Sequence, residues 1–264
     1  MKPNKLFIKN FLLLLEGLGL NPKAFIIFIR GVPLYFKSLR KLKKQLKQRQ
    51  DFALKLYPIL GEYNHSSGIM KGHYFHQDLL IARKIFINNP CKHIDIGSRI
   101  DGFIAHVAAF REIYVFDIRH QKSNVLNIRT HQMDVMTLPK ELINSLESIS
   151  SLHAIEHFGL GRYGDPIDVD GHIKAIQNIF MMLKPNGKFY FSVPIGKQRI
   201  EFNAHRVFSL KYLLNLFENK FFINHFHYVN DQGDLFEDIE LTDKLIEQNC
   251  NCYYGCGIFE LNRI

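Results

Sequence analysis

Beyond residue 90 the chain alternates short β-rich runs with stretches whose apolar residues recur every three or four positions, the pattern of a sheet covered by helices on both faces. KHIDIG (92–97), EIYVFDI (112–118), NIRTHQMDV (127–135), SISSLH (148–153), KFYFSVP (188–194), FFINHFHYV (221–229) and YYGCGIFELN (253–262) read as seven strands. DGFIAHVAAF (101–110), LPKELINSL (138–146), HIKAIQNIFMMLKP (172–185) and FSLKYLLNLFE (208–218) read as helices between them. In the third of these, Ile173, Ile176, Phe180 and Leu183 line one face before Pro185 and Gly187 stop it. The spacing predicts an α/β fold, a doubly wound seven-stranded sheet, in which ligands bind beyond the carboxyl ends of the strands.

Upstream the pattern differs. From about residue 5 to 50 apolar residues are interleaved with Lys and Arg, ending in KSLRKLKKQLKQRQ, where Leu39, Leu42 and Leu46 fall at helical spacing. This predicts a basic helical N-terminal extension over 1–70 and a catalytic-type domain over 71–264. The charge is concentrated there: residues 1–50 hold twelve Lys or Arg against one acid, Glu16, so the net +9 of the whole chain leaves the remainder at minus two. Such a helix serves either as peripheral attachment to an anionic membrane surface, at the inner face of the membrane, or as an extension packed on its own domain or on a partner subunit, a homodimer included.

Composition narrows the class. At 264 residues, 47% of them hydrophobic, the chain buries one sizeable core. No basic stripe interleaved with aromatics is present beyond residue 50, so nucleic acid is not expected as a partner. FLLLL (11–15) stops at Glu16 and AFIIFI (24–29) at Arg30, both far short of the ~20 residues that span a bilayer, and no cleavage signal follows. Cys250, Cys252 and Cys256 form C-x-C-x3-C, with Cys91 alone; the spacing matches no common disulfide or metal framework, and reduced thiols in a cytoplasmic setting are expected.

The strand ends are polar in succession: Asp95 and Gly97, then Asp117, then Asp134 with Val135 beside it, then His153. Asp117 lies 22 residues past Asp95, near the spacing at which an acid accepts from both ribose hydroxyls of an adenosine. Asp134 is then placed for the adenine amino group. In that order and spacing, DIGSRIDGF, VFDIR, QMDV and LKPNGKFYFSVP resemble the motifs of class I S-adenosylmethionine-dependent methyltransferases, over about residues 88–230. YFHQDLLIARKIF, HIDIGSRIDGFIAHVAAFREIYVFDIR and HAIEHFGLGRYGDPID more narrowly resemble a methyltransferase-like family of bacteria and nematodes long filed as a domain of unknown function, with bacterial relatives associated with surface polysaccharide synthesis.

The resemblance implies a Rossmann-like methyltransferase fold with S-adenosyl-L-methionine held by Asp95, Gly97, Arg99, Asp117, Asp134 and Val135. It implies a small-molecule or glycan acceptor, a hydroxyl of a sugar or nucleotide-linked intermediate. The loop departs from D-x-G-x-G-x-G, since Arg99 and Asp101 replace the second and third glycines and only Gly102 compensates. Arg99 either pairs with the methionyl carboxylate or packs against a helix. A dinucleotide would want G-x-G-x-x-G here, which sets a hydride-transferring enzyme further off.

His153, Glu156 and His157 also spell H-x-x-E-H, which on a continuous helix would hold zinc. Gly159, Gly161 and Gly164 follow too closely for a long helix, so no metal is assigned to this motif, and it is expected beside the reactive methyl group instead. Methyl transfer to a hydroxyl needs a base, and His157 and His153 lead as candidates, with His205 of NAHRVFS next. Tyr163, Asp165 and Arg206 are candidates for the acceptor pocket, with turn chemistry as the other role of the GDP segment. YFHQD (74–78) either folds over the methionyl end or packs as a helix N-terminus.

Overall fold

The computed structural model describes residues 15–47, 49, 51–63 and 66–264, which form two compact units divided between Ile69 and Met70. In the first unit, α1 runs Pro22–Leu46. Asn21 begins it by accepting the Ala24 N–H at 3.0 Å, and proline occupies the first turn, where its missing donor costs nothing. The expected extension is therefore helical over 22–46, while its described residues from 51 to 69 are irregular. Most of FLLLL lies outside the described residues. Phe25, Ile26, Phe28 and Ile29 of α1 are each more than half exposed. Among the described residues no helix is long and apolar enough to cross a membrane.

The second unit is built on a sheet of order β3-β2-β1-β4-β5-β10-β8-β9. Its strands are β1 Ile94–Ile96, β2 Ile113–Asp117, β3 Ile128–Gln132, β4 Leu146–Leu152, β5 Leu183–Ile195, β8 Phe221–Val229, β9 Leu235–Phe236 and β10 Gly255–Arg263. The sheet has eight strands rather than the expected seven. The eighth, β9, exists because Asn230 accepts the Gln232 and Asp234 N–H groups and turns the chain back on β8. β1 to β5 pair in parallel, whereas β10 runs antiparallel to both β5 and β8, so the sheet is mixed. A separate ribbon pairs β6 Arg199–Glu201 with β7 His205–Val207.

Helices α2 His73–Asn88 and α3 Ala105–Ala108, the latter entered through a π-helical turn at Ile100–Ile104, cover one face; α4 Gly171–Met182 and α5 Leu210–Phe217 cover the other. A short α6, Asp243–Glu247, precedes β10. Ile81, Ile85, Phe103 and Val107 pack on Ile113, Val115 and Ile258, while Ile176, Ile179, Leu213 and Phe217 pack on Phe189, Phe191 and Phe259. Two expected boundaries shift. LPKELINSL forms only a single 3-10 turn, Lys140–Leu142, since Pro139 and Ile143 on either side are extended. The helix expected to reach Pro185 ends at Met182, because Leu183 is already extended and paired with Leu146.

Candidate active site

The four parallel tips β3, β2, β1 and β4 border one cleft of about 310 Å³. β1 ends at Ile96 and turns at once through Gly97, whose φ is +70° and where a Cβ would stand 3.1 Å from that of Ala154. Only glycine makes this turn without strain. Asp95 lies fully buried beneath it, outside the cleft lining, and accepts from Ser98 N–H (2.9 Å), Ser98 Oγ–H (2.6 Å) and Ser150 Oγ–H (2.6 Å). Its work is to hold the loop.

Because Ser150 gives its proton to Asp95, its oxygen accepts from His93 Nε2–H at 3.0 Å, and His93 Nδ1 accepts from Ser148 at 2.8 Å. Burial drives the His93 imidazole down to about 3 and pushes the Asp95 carboxyl up to about 6 against the lowering effect of its hydrogen bonds. The sequence reading missed this chain of groups. The signal was there: His93 and Asp95, like Ser148 and Ser150, sit two apart and so share a strand face.

Arg99 donates through Nε (3.1 Å) and Nη2 (3.0 Å) to Asp101, borders the cleft and lies 4.8 Å over the Tyr74 ring. At Gly102 a Cβ would meet Asp78 Oδ2 at 2.5 Å, so this glycine admits Asp78 against the turn. YFHQD is the first part of α2, with Tyr74 on the cleft and Gln77 and Asp78 buried.

Asp117 is 8% exposed at the end of β2 and carries Arg119 on both oxygens: Oδ1 accepts from Arg119 N–H (2.8 Å) and Nε–H (2.9 Å), Oδ2 from Nη2–H (2.6 Å). The same guanidinium stacks 4.6 Å from the Tyr163 ring. Asp134 Oδ1 accepts the Met136 N–H at 2.9 Å. Phe116, Met133, buried Val135 and Phe158 supply apolar lining. Carboxylates at two neighbouring tips beside an apolar slot suit a flat, polyhydroxylated ligand.

His153 and His157 both border the cleft. They do not share a helix: His153 is left-handed at φ +50°, and Ile155–His157 is a single 3-10 turn. The paired-imidazole helix of a zinc protease is absent from this segment. His153 Nδ1–H donates to Glu156 Oε1 at 2.7 Å, so its Nε2 is the other, buried nitrogen, which has only the Cys256 sulfur to meet it. Burial opposes charge on this ring, yet the Cys256 sulfur and the Glu156 carboxylate hold its proton affinity well above the ordinary imidazole value.

His157 donates through Nδ1–H to the Ala204 carbonyl at 2.6 Å, which leaves Nε2 as the acceptor; burial lowers its pKa. Glu156 Oε1 lies 3.8 Å from that Nε2. His205 stands behind His157, at a ring separation of 6.3 Å, and does not border the cleft.

Tyr163 borders the cleft edge-on to His157. Asp165 borders it too, but its oxygens accept from the Gly159, Gly161 and Tyr163 N–H groups, the bonds of a folded turn. Arg206, expected at the acceptor pocket, lies outside it: buried, it donates to the carbonyls of Phe158 (2.6 Å) and Val169 (3.2 Å) and pins the loop between them. The cysteines do not converge. All four thiols are free, Cys250 and Cys252 pack on one face of the sheet and Cys256 on the other, and burial pushes the first two up to about 12.

The fold is similar to that of Burkholderia thailandensis 1,6-didemethyltoxoflavin-N1-methyltransferase, solved with 1,6-didemethyltoxoflavin and S-adenosylhomocysteine, at TM-score 0.51 and 11% identity over 92% of this chain and 90% of that one. N-methyltransferase NodS from Bradyrhizobium japonicum WM9, solved with S-adenosyl-L-homocysteine, aligns at TM-score 0.48 and 11% identity over 73% of this chain and 88% of its own. The [4+2]-cyclase SpnF aligns at 0.49 and 12% over 71% and 80%. At these identities the likeness is one of fold. No curated protein sequence matches the chain. The model of the family described as Caenorhabditis protein of unknown function, DUF268, matches residues 107–251, more than half of the 264, and the chain belongs to that family.

Proposed function

We propose that the chain is a methyltransferase that uses S-adenosyl-L-methionine to methylate a hydroxyl. The observation that carries this reading is the meeting, around one cleft, of the Gly97 turn, Asp117, Asp134 and the unprotonated Nε2-bearing ring of His157. The residues fit the cofactor. The Gly97 turn, at φ +70°, strains any other residue, Asp117 offers a carboxylate to a vicinal diol, Phe116, Met133 and Val135 offer a slot for a planar base, and Asp134 keeps Oδ2 for an amino group. Arg99 supplies positive charge for a carboxylate.

When bound, the cofactor supplies a methyl group on a positively charged sulfur, ready for displacement. The chain's part is alignment of the acceptor and removal of its proton. His157 is the base: its tautomer is fixed by Ala204, and on taking a proton at Nε2 it becomes a cation 3.8 Å from the Glu156 carboxylate. Tyr163, stacked beneath Arg119 and edge-on to His157, forms the wall against which the acceptor rests. The acceptor we assign is a sugar or nucleotide-linked hydroxyl of surface polysaccharide synthesis; the sugar part rests on the resemblance to bacterial relatives, and the hydroxyl on the need for a neutral imidazole base.

A transfer assay with methyl-labelled cofactor against nucleotide-activated sugars and lipid-linked glycans tests this. Label in one acceptor class, lost in His157→Ala, is the expected result; no calorimetric heat with millimolar S-adenosylhomocysteine would overturn it. That second outcome supports a non-catalytic scaffold that keeps the fold. The observation on that side is the closure of Arg119 on both Asp117 oxygens together with the Arg99–Asp101 pair in place of two glycines.

A further inference from the structure

His73, at the start of α2, His153, at the tip of β4, and Cys256, in β10, are 183 positions apart at the extremes of the sequence, yet each offers a ligand atom within 4.8 Å of the other two. Three separate elements converge to make the group. His73 and His153 stack at 5.1 Å with their planes 10° apart, and the Tyr254 ring lies 5.4 Å from that of His73. His153 and Cys256 are buried, and His73 is partly so.

A second observation points to a ligand. The His153 side chain is 3% exposed, and its buried Nε2 has only the Cys256 sulfur, a member of the group itself, to meet it. A thiol is a weak partner, so a buried imidazole nitrogen placed this way is costly unless something better meets it. Its other nitrogen donates to Glu156 at 2.7 Å, the arrangement in which a carboxylate orients a metal-bound imidazole and raises its basicity. Nothing in the chemistry proposed for His157 requires His73 or Cys256.

We propose that His73, His153 and Cys256 form a zinc site at the margin of the cleft, with Glu156 as the carboxylate behind His153. Two imidazoles and a thiolate are a borderline-soft set suited to zinc, and three protein ligands leave a fourth position for water or an acceptor oxygen, as in catalytic rather than structural zinc centres. Tetrahedral bonds of about 2.0–2.3 Å separate ligand atoms by roughly 3.3–3.8 Å. Closing the group from 4.8 Å asks for rotamer changes of about an ångström, which the partly buried His73 can make. His153 also borders the cleft, so an oxygen in the fourth position would share the space assigned to the acceptor. The ligand set is distinct from the H-x-x-E-H pair, since His157 is not in it.

The site stands independently of methyl transfer, and its test reads metal rather than turnover. The full chain, purified and dialysed against equimolar zinc, is expected to retain one zinc per chain; cobalt in its place should show a thiolate-to-metal charge-transfer band. Cys256→Ser should abolish that band, and His73→Ala, at a residue whose loss leaves the core intact, should lower zinc content below half. Glu156→Gln should keep the ligands and weaken affinity by roughly 10- to 100-fold. Cys250→Ser, in the opposite core, should retain full metal and band. Unfolding midpoints of the apo proteins separate lost ligation from lost fold. Binding of S-adenosylhomocysteine, measured on the same samples, separates failure of this site from failure of the cofactor reading. No zinc in the folded wild-type chain, or wild-type zinc in both Cys256→Ser and His73→Ala, would overturn the proposal.

Discussion

Arg119 closes on Asp117 with its own N–H and with both Nε and Nη2, so the acid that a ribose would use is already engaged. The Arg119 side chain is 46% exposed, which places the pair among half-solvated ion pairs worth about 1 kcal/mol or less. A diol binding at Asp117 displaces it. Arg119→Ala should therefore bind S-adenosylhomocysteine more tightly, by up to about fivefold, and Asp117→Ala more weakly by at least roughly tenfold. Titration calorimetry reads both; equal affinity for Asp117→Ala and the parent chain would show that the tip of β2 does not hold the ligand.

His157 must be neutral to act as a base, and burial lowers its pKa below 6.5. The neutral fraction grows as pH rises, so the rate should climb from acid pH with a midpoint below 6.5. His157→Gln should lose about two to four orders of magnitude, the usual contribution of a positioned base. A profile whose acid limb persists in that variant would assign the limb elsewhere.

Removing the Asp95 carboxylate leaves Ser98 N–H, Ser98 O–H and Ser150 O–H without their acceptor in a buried site. Each orphaned group costs about 1–3 kcal/mol, partly offset because a buried charge is lost with it. Asp95→Ala should destabilise the fold by roughly 2–4 kcal/mol in denaturant unfolding. A change below 1 kcal/mol would show that the serines find other partners.

Stability should decline in mild acid. His73, His93, His172 and His227 titrate at about 4, 3, 4 and 4 when folded, against 6.5 free. Below 6.5 the unfolded chain takes up four protons that the fold refuses, so their contribution is whole above 6.5 and is lost as pH falls toward 4. Asp78 and Asp95, raised to about 6, act in the opposite sense between 6 and 3.8. Two net protons remain, worth about 2.7 kcal/mol per pH unit from 6 to 4. Chemical unfolding at three pH values in that window measures the slope, and a flat or rising trend toward acid would contradict it.

Strand positions were legible because apolar runs flanked by glycine, proline and acids leave little choice: FFINHFHYV is β8 residue for residue. The acidic tips were legible for the same reason, since a carboxylate ending an apolar strand has to stand at its mouth. What failed was local. Leu183 starts β5 early because it pairs with Leu146, a distant partner that no window around 183 contains, and β9 depends on one asparagine turn. Arg206 read as a pocket cation but spends its guanidinium on carbonyls of a loop some 40 positions upstream. Long-range partners of this kind, like the meeting of His73 with Cys256, arise only once the sheet has brought its edges together.

Strand β10 is the last of the eight in chain order, yet it lies between β5 and β8. While the polypeptide is being synthesised, the β8–β9 hairpin therefore has no strand to join it to the rest of the sheet, and β5 shows an open flank, until Gly255–Arg263 emerges and inserts between them. Shortening the gene so that translation stops before residue 255 would leave a nascent product with an unzipped sheet and a row of unpaired amides, a substrate for chaperones rather than a smaller enzyme.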